Sequence, residues 1–321
     1  MGLQSKNMNY VFNVEYFKGI NLSEAEDKNS EAEIKKRNND IVSFRFSDVA
    51  PLEACKDIPG YREFGLYTLY PGLLIGIGNP HEIAMKEALK LGFSFDYVTG
   101  LPYIPGSSLK GMLRAYFPGE TKDAEKDREY EEMLKALLAD IVKNAEIDVK
   151  KLKDNMFENN DIFLGAFPVA TESGFDGEKG KLLELEYITP HKKFKNPNPI
   201  SLLKVRPAVK FVFAGVFTDY KENGEVLVSS EQKMLLCKEL LMLFGIGAKT
   251  NTGYGRFSEK KPMKNNLVSK RPSAPRNENN VSKKPSASKG SSCCQKCGRK
   301  VGIDMKTGQP FRYCRECHQK Q

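Results

Sequence analysis

The chain has 321 residues, 40% of them hydrophobic, and a formal net charge of +9; that length can bury one sizeable core with a smaller module beside it. It contains no apolar run of about eighteen residues, which excludes a hydrophobic membrane-spanning helix, and its N-terminus lacks the basic-then-apolar pattern of a secretory signal. A cytoplasmic protein is the expectation, and the charge is unevenly placed: residues 261–321 hold fifteen Lys and Arg against three acids, whereas residues 1–260 hold thirty-five against thirty-eight. A basic segment on a near-neutral body points to an acidic partner, most often nucleic acid, or to a solvated tail.

In chain order, residues 1–60 are polar and charge-mixed, and "NLSEAEDKNSEAEIKKRNND" reads as too hydrophilic for a core, so a flexible or helical arm is expected. "FGLYTLYPGLLIGIG" (64–78) reads as an aromatic, apolar strand region, and residues 81–91 as a short helix ended by Gly92. In "YIPGSSLKGMLRAYF" (103–117), Ser107 is placed to cap a helix after Pro105 and Gly106. Leu109, Met112, Leu113, Tyr116 and Phe117 then recur at helical spacing as one buried stripe. Lys110 and Arg114 fall on another face with Gly111 between them. That set suits a phosphate at a helix N-terminus, or two ordinary solvated cations.

Residues 120–160 read as a charged helical insertion. "DIFLGAFPVA", "KLLELEYITPH", "LLKVRPAVKFVFAGVF" and "GEVLVS" are strand-like. A second helix over 231–244 leads into "GIGAKTNTGYG" and a last strand ending near residue 259. Two helices interleaved with about four core strands predict an α+β domain over 61–260 of the ferredoxin type, β-α-β-β-α-β, with insertions.

The loop after the second helix carries Gly245, Gly247, Gly253 and Gly255 together with Lys249 and Arg256. It is not a Walker phosphate loop, because Ala248 separates Gly247 from Lys249 and the helix precedes the loop. It is not a dinucleotide fingerprint either, since Thr250 stands where the third glycine belongs. The glycines provide either a tight connection with positive φ or a backbone that a ligand can approach.

Residues 261–292, rich in Lys, Pro, Ser and Asn, read as a disordered linker. The chain then ends in Cys294-x2-Cys297, sixteen residues, and Cys314-x2-Cys317, with Gly298 after the first pair. This is the spacing of a four-thiolate structural zinc site, a ribbon over 293–321 whose folding energy would come from the metal. Cys293 and His318 are possible substitutes among the ligands. Cys55 and Cys237, isolated from this cluster, are expected to be reduced core residues.

Three segments, "YIPGSSLKGMLR", "YITPH…NPNPISLLKV" and "FGIGAKTNTGYGRF", together resemble the RAMP superfamily of CRISPR effector proteins over roughly residues 60–260. Their order is most similar to the family of sixth subunits of the Cmr complex, the type III-B RNA-targeting effector. The resemblance implies an RRM-like ferredoxin fold whose glycine-rich loop runs along RNA backbone. It implies RNA contacts from Ser107, Lys110, Arg114, His191, Lys192, Lys193, Gly245, Gly247, Lys249, Gly253, Gly255 and Arg256. It further implies guide RNA, target RNA and other Cmr-type subunits as partners, and a capping position toward the guide 3′ end without cutting. The segment "TPHKKFKNPNPI" is shorter than the family's and lacks its tyrosines, and the ribbon lies outside the family pattern. Two other functions remain open: a metal-independent endoribonuclease using His191 with Lys192 or Lys193, and a zinc-ribbon nucleic-acid adaptor.

Overall fold

A computed structural model describes residues 5–21, 28–78, 85, 87–143, 147–159, 161–175, 178–188 and 200–263. The elements follow in the order α1 (Met8–Asn13), α2 (Lys28–Ser43), β1 (Tyr61–Thr68), β2 (Ile104–Pro105), α3 (Gly106–Arg114), α4 (Ala124–Val142), α5 (Val149–Asp154), β3 (Ile162–Pro168), β4 (Leu183–Ile188), β5 (Ile200–Val205), β6 (Lys210–Val216), β7 (Tyr220–Glu222), β8 (Glu225–Val228), α6 (Ser230–Phe244) and β9 (Phe257–Ser258).

One sheet organises the body, in the order β2-β3-β6-β1-β9. Every pairing in it is antiparallel, with β1 against β6 from Tyr61↔Val216 to Tyr67↔Lys210, and β9 against the end of β1 at Tyr67↔Ser258 and Thr68↔Phe257. Setting aside the short β2, the chain runs β1-α3-β3-β6-α6-β9 through neighbouring positions β3-β6-β1-β9. That is the expected β-α-β-β-α-β unit. The insertions supply two further hairpins, β4–β5 and β7–β8.

Burial explains why these segments take these places. On β1 and β6, Leu66, Phe211 and Phe213 are fully enclosed, and Phe257 of β9 meets Phe213 edge-on at 5.4 Å. The helix α3 packs on β3 and buries Leu109 and Leu113, while α6 packs on β1 and buries Leu236, Leu240 and Leu241. The helix α6 starts in a reciprocal cap: the Gln232 N–H donates to Ser229 Oγ (3.2 Å) and the Ser229 N–H to Gln232 Oε1 (2.8 Å). It stops at Gly245, whose N–H reaches Leu241 O (2.8 Å).

The N-terminal segment is not an arm outside the core. Met8, Val11, Phe12 and Tyr16 are fully buried, and α2 buries Ile34, Asn38 and Ile41 at helical spacing. The apolar positions are few but share one face, and the polar ones on that face are paired: Tyr16 donates to Asn38 Oδ1 (2.7 Å) and Asn38 to Glu87 O (2.8 Å). Mean hydrophilicity misleads where a narrow stripe suffices. The charged helices of 121–155 are present as α4 and α5, with Leu134 and Leu138 anchoring α4. Cys237 is buried, and burial pushes its thiol pKa up. Cys55 is only half-buried in a short 3-10 turn, so it is no core residue. The expected helix over 81–91 falls largely outside the described residues, as do the linker and the ribbon.

Candidate nucleic-acid interface

The helix α3 and the glycine-rich loop, far apart in sequence, face each other across one cleft of about 420 Å³. Ser108, Gly111, Met112 and Tyr116 line one side, Phe244, Gly245, Gly247 and Thr250 the other, with Gly76 and Ser94 closing it. The start of α3 is set by the sheet rather than by a side-chain cap. The pairing of Pro105 with Gly165 brings Gly106 so close to β3 that a Cβ there would lie 1.9 Å from Phe163 O. The helix therefore begins at Gly106 with Pro105 preceding it and no capping hydrogen bond from a side chain. Ser107 is thus an exposed residue of the first turn and not the cap. The apolar stripe is as expected: Leu109, Leu113 and Phe117 are buried, and Met112 and Tyr116 line the cleft.

The loop glycines are required by the chain's own packing. Gly247 has φ +93 and its Cβ would meet Leu74 O at 2.3 Å; Gly255 has φ +68 and its Cβ would meet Ile246 O at 1.9 Å. No other residue allows two loop limbs and the segment after β1 to lie backbone against backbone. Hydrogen bonds close the arrangement: Ile246 N–H to Gly255 O (3.0 Å), Ala248 N–H to Leu74 O (2.9 Å) and Gly255 N–H to Gly72 O (2.8 Å). Gly245 ends α6, and Gly253 follows the 3-10 turn Thr250–Thr252. Of the two readings the loop glycines left open, the tight connection accounts for their geometry. Gly111 differs from them. It is exposed, and a Cβ added there would meet nothing within 4 Å among the described residues, so their packing gives no reason for a helix-interior residue that costs about 1 kcal/mol relative to Ala.

The cations divide into engaged and free. Arg114 pairs with Glu120 (2.9 Å) and Glu158 (3.0 Å). Arg256 donates to Leu243 O, satisfying a carbonyl at the end of α6. Lys110 and Lys249 have no ion-pair partner among the described residues, and Lys249 is held in the left-handed conformation at φ 59. They adjoin the cleft-lining residues Gly111 and Thr250 in sequence. His191, Lys192, Lys193 and the four ribbon cysteines lie outside the described residues. No group of three or more potential metal ligands occurs among the described residues.

Three contacts escaped sequence reasoning. The Tyr254 hydroxyl of the loop donates to Glu186 Oε2 (2.7 Å), which also accepts from Lys204 Nζ (2.7 Å), binding the loop to the β4–β5 hairpin. Burial works against the Glu186 charge, but these hydrogen bonds prevail and hold its pKa below the usual carboxylate range. Below α6, Lys233 Nζ meets Asp161 Oδ2 at 2.7 Å, both side chains fully enclosed. Asp161 also accepts from the Thr218 N–H (2.9 Å) and hydroxyl (3.2 Å). A lone Lys in an otherwise apolar helix face, Met234-Leu236-Cys237-Leu240, was the available signal for this pair. The stack of Tyr116 on Phe244, ring centroids 3.6 Å apart and 12° from parallel, had no signal, because its members stand far apart in the chain.

A model of the RAMP superfamily matches residues 66–258. Among known proteins, the chain is 29% identical over 176 residues to the CRISPR system CMR subunit Cmr6 of Saccharolobus solfataricus, covering 53% of this chain and 49% of that protein. It is 24% identical over 245 residues to Cmr6 of Pyrococcus furiosus, covering 61% and 67%. The first match thus spans about half of the relative's own length. Among solved structures, a chain of the type III-B Cmr-beta bound to cognate target RNA aligns over 79% of this chain and 83% of its own at 23% identity and TM-score 0.44. The crystal structure of Cmr6 from Pyrococcus furiosus aligns over 62% and 98% at 23% identity and TM-score 0.40. No described helix is long and apolar enough to cross a membrane. With the family model running from the end of β1 to β9 and covering both sides of the cleft, the chain belongs to the RAMP superfamily.

Proposed function

We propose that this chain is a non-catalytic, guide-RNA-binding subunit of a type III-B CRISPR effector complex, capping the filament toward the guide 3′ end beside other Cmr-type subunits. The observation that carries this reading is the convergence of α3 and the glycine-rich loop on one cleft, with Lys110 and Lys249 free of acidic partners among the described residues. The names of its relatives in two organisms, each a subunit of a CRISPR Cmr system, support membership of such a complex. Phosphates meet the two free lysines, and the basic segment beyond residue 260 adds non-specific attraction for RNA. In this division of labour the four cysteines hold one structural zinc ion, which folds the terminal ribbon independently of the body.

The test is co-expression of the full chain with the remaining subunits and a guide. Lys110→Ala with Lys249→Ala should lower guide occupancy at unchanged melting temperature. It should also flatten the salt dependence by about 0.7 in log–log slope for each phosphate no longer neutralised. Full guide occupancy in that double variant would refute the assignment of the cleft. Discrete cutting of repeat RNA by the purified chain in EDTA would replace the non-catalytic reading with the nuclease one.

A further inference from the structure

We infer that the cleft between α3 and the glycine-rich loop takes a nucleobase of the bound strand, with the phosphates remaining outside at Lys110 and Lys249. The inference rests on the RNA-binding reading and goes beyond it, since a strand held only by its phosphates would need no such cleft.

Three observations carry it. First, none of the described residues lining the cleft is charged. A phosphate placed inside would lose its hydration without a cation to replace it, a cost that excludes it from the interior. The free lysines adjoin the lining residues instead of belonging to them. Second, the walls suit a flat heterocycle. Tyr116 and Phe244 already stack, so an inserted base extends an aromatic pile, while Met112 offers a polarisable contact. The hydroxyls of Ser94, Ser108 and Thr250 are neutral groups able to donate or accept toward a base edge. At about 420 Å³ the cleft lies at the small end of the range of ligand sites. Third, Gly111 keeps the α3 wall open where any side chain would stand in empty space. Its helix cost, unexplained by protein packing, is accounted for by a ligand passing close to the helix.

The experiment compares the full chain with its Gly111→Leu variant. The probes are an oligouridylate and an abasic oligomer of equal length and phosphate count. The wild-type chain should prefer the oligouridylate by about tenfold or more, the scale of one stacked base. Gly111→Leu should reduce that preference by about tenfold, leave affinity for the abasic oligomer unchanged, and melt no lower than wild type. Ser108→Leu, at another exposed position on the same wall, should repeat the result and guards against a folding artefact in the first variant. Equal loss for both oligomers, or no loss for either, would overturn the nucleobase assignment and leave the RNA-binding reading standing. A wild-type chain that binds neither oligomer would overturn both.

Discussion

The glycines of the loop and of α3 look alike in sequence, and replacing each by alanine should separate them. At Gly247, alanine is forced to a positive φ, costing about 1–2 kcal/mol. Its Cβ would stand 2.3 Å from Leu74 O, so the loop must part from the segment after β1. The Ala248 N–H to Leu74 O hydrogen bond (2.9 Å) then lengthens or breaks, at about 1 kcal/mol. Reduced entropy of the unfolded chain returns about 0.4–1 kcal/mol, leaving a net loss of about 2 kcal/mol from these terms. For a domain of this size that lowers the melting temperature by about 4–8 °C. At Gly111 the same substitution meets open space on an exposed helix face and should stabilise by up to about 1 kcal/mol. Urea unfolding followed by circular dichroism measures both. If Gly247→Ala kept wild-type stability and lost only RNA affinity, the loop glycines would serve a ligand and not their own packing.

Other perturbations test the ties around the cleft. Asp161→Asn strands the buried Lys233 ammonium and should cost about 3–5 kcal/mol, with Lys233→Met added in the same chain restoring much of it; equal stability of single and double variants in denaturant melts would disprove the coupling. Because the folded pKa of Glu186 is depressed, its contribution is present above the unfolded value of about 4.3 and lost as pH falls through the folded one. Wild type should therefore lose stability on acidification below that value, and Glu186→Gln should show a flatter profile across the same window. Arg256→Ala removes the donor to Leu243 O and, at this exposed contact, should lower stability by no more than about 1 kcal/mol as well as RNA affinity, whereas Lys249→Ala should affect affinity alone. Cys294→Ser or Cys314→Ser should abolish a zinc content of about one per chain without moving the body's melting transition, as read by atomic absorption and calorimetry.

The ferredoxin-type order, the two helices and the glycine-rich loop were legible in the sequence because they rest on local chemistry. Apolar spacing set Leu109, Met112 and Leu113 on one face of α3, and Gly245 marked the end of α6. What the sequence left open was whatever depends on approach between distant segments. It could not tell that Gly247 and Gly255 are demanded by neighbouring carbonyls, that Arg114 and Arg256 are already engaged while Lys110 and Lys249 have no ion-pair partner among the described residues, or that Phe12 and Tyr16 belong to the core. Ser107 was misplaced as a cap for the same reason: the first turn of α3 is dictated by the approach of Gly106 to Phe163 on β3, far along the chain. A linear pattern encodes which residues prefer helix, strand or turn, but a contact has meaning only once both partners have a position. The cleft itself, whose described walls come from four separate stretches and carry no charged residue, exists only in the folded chain.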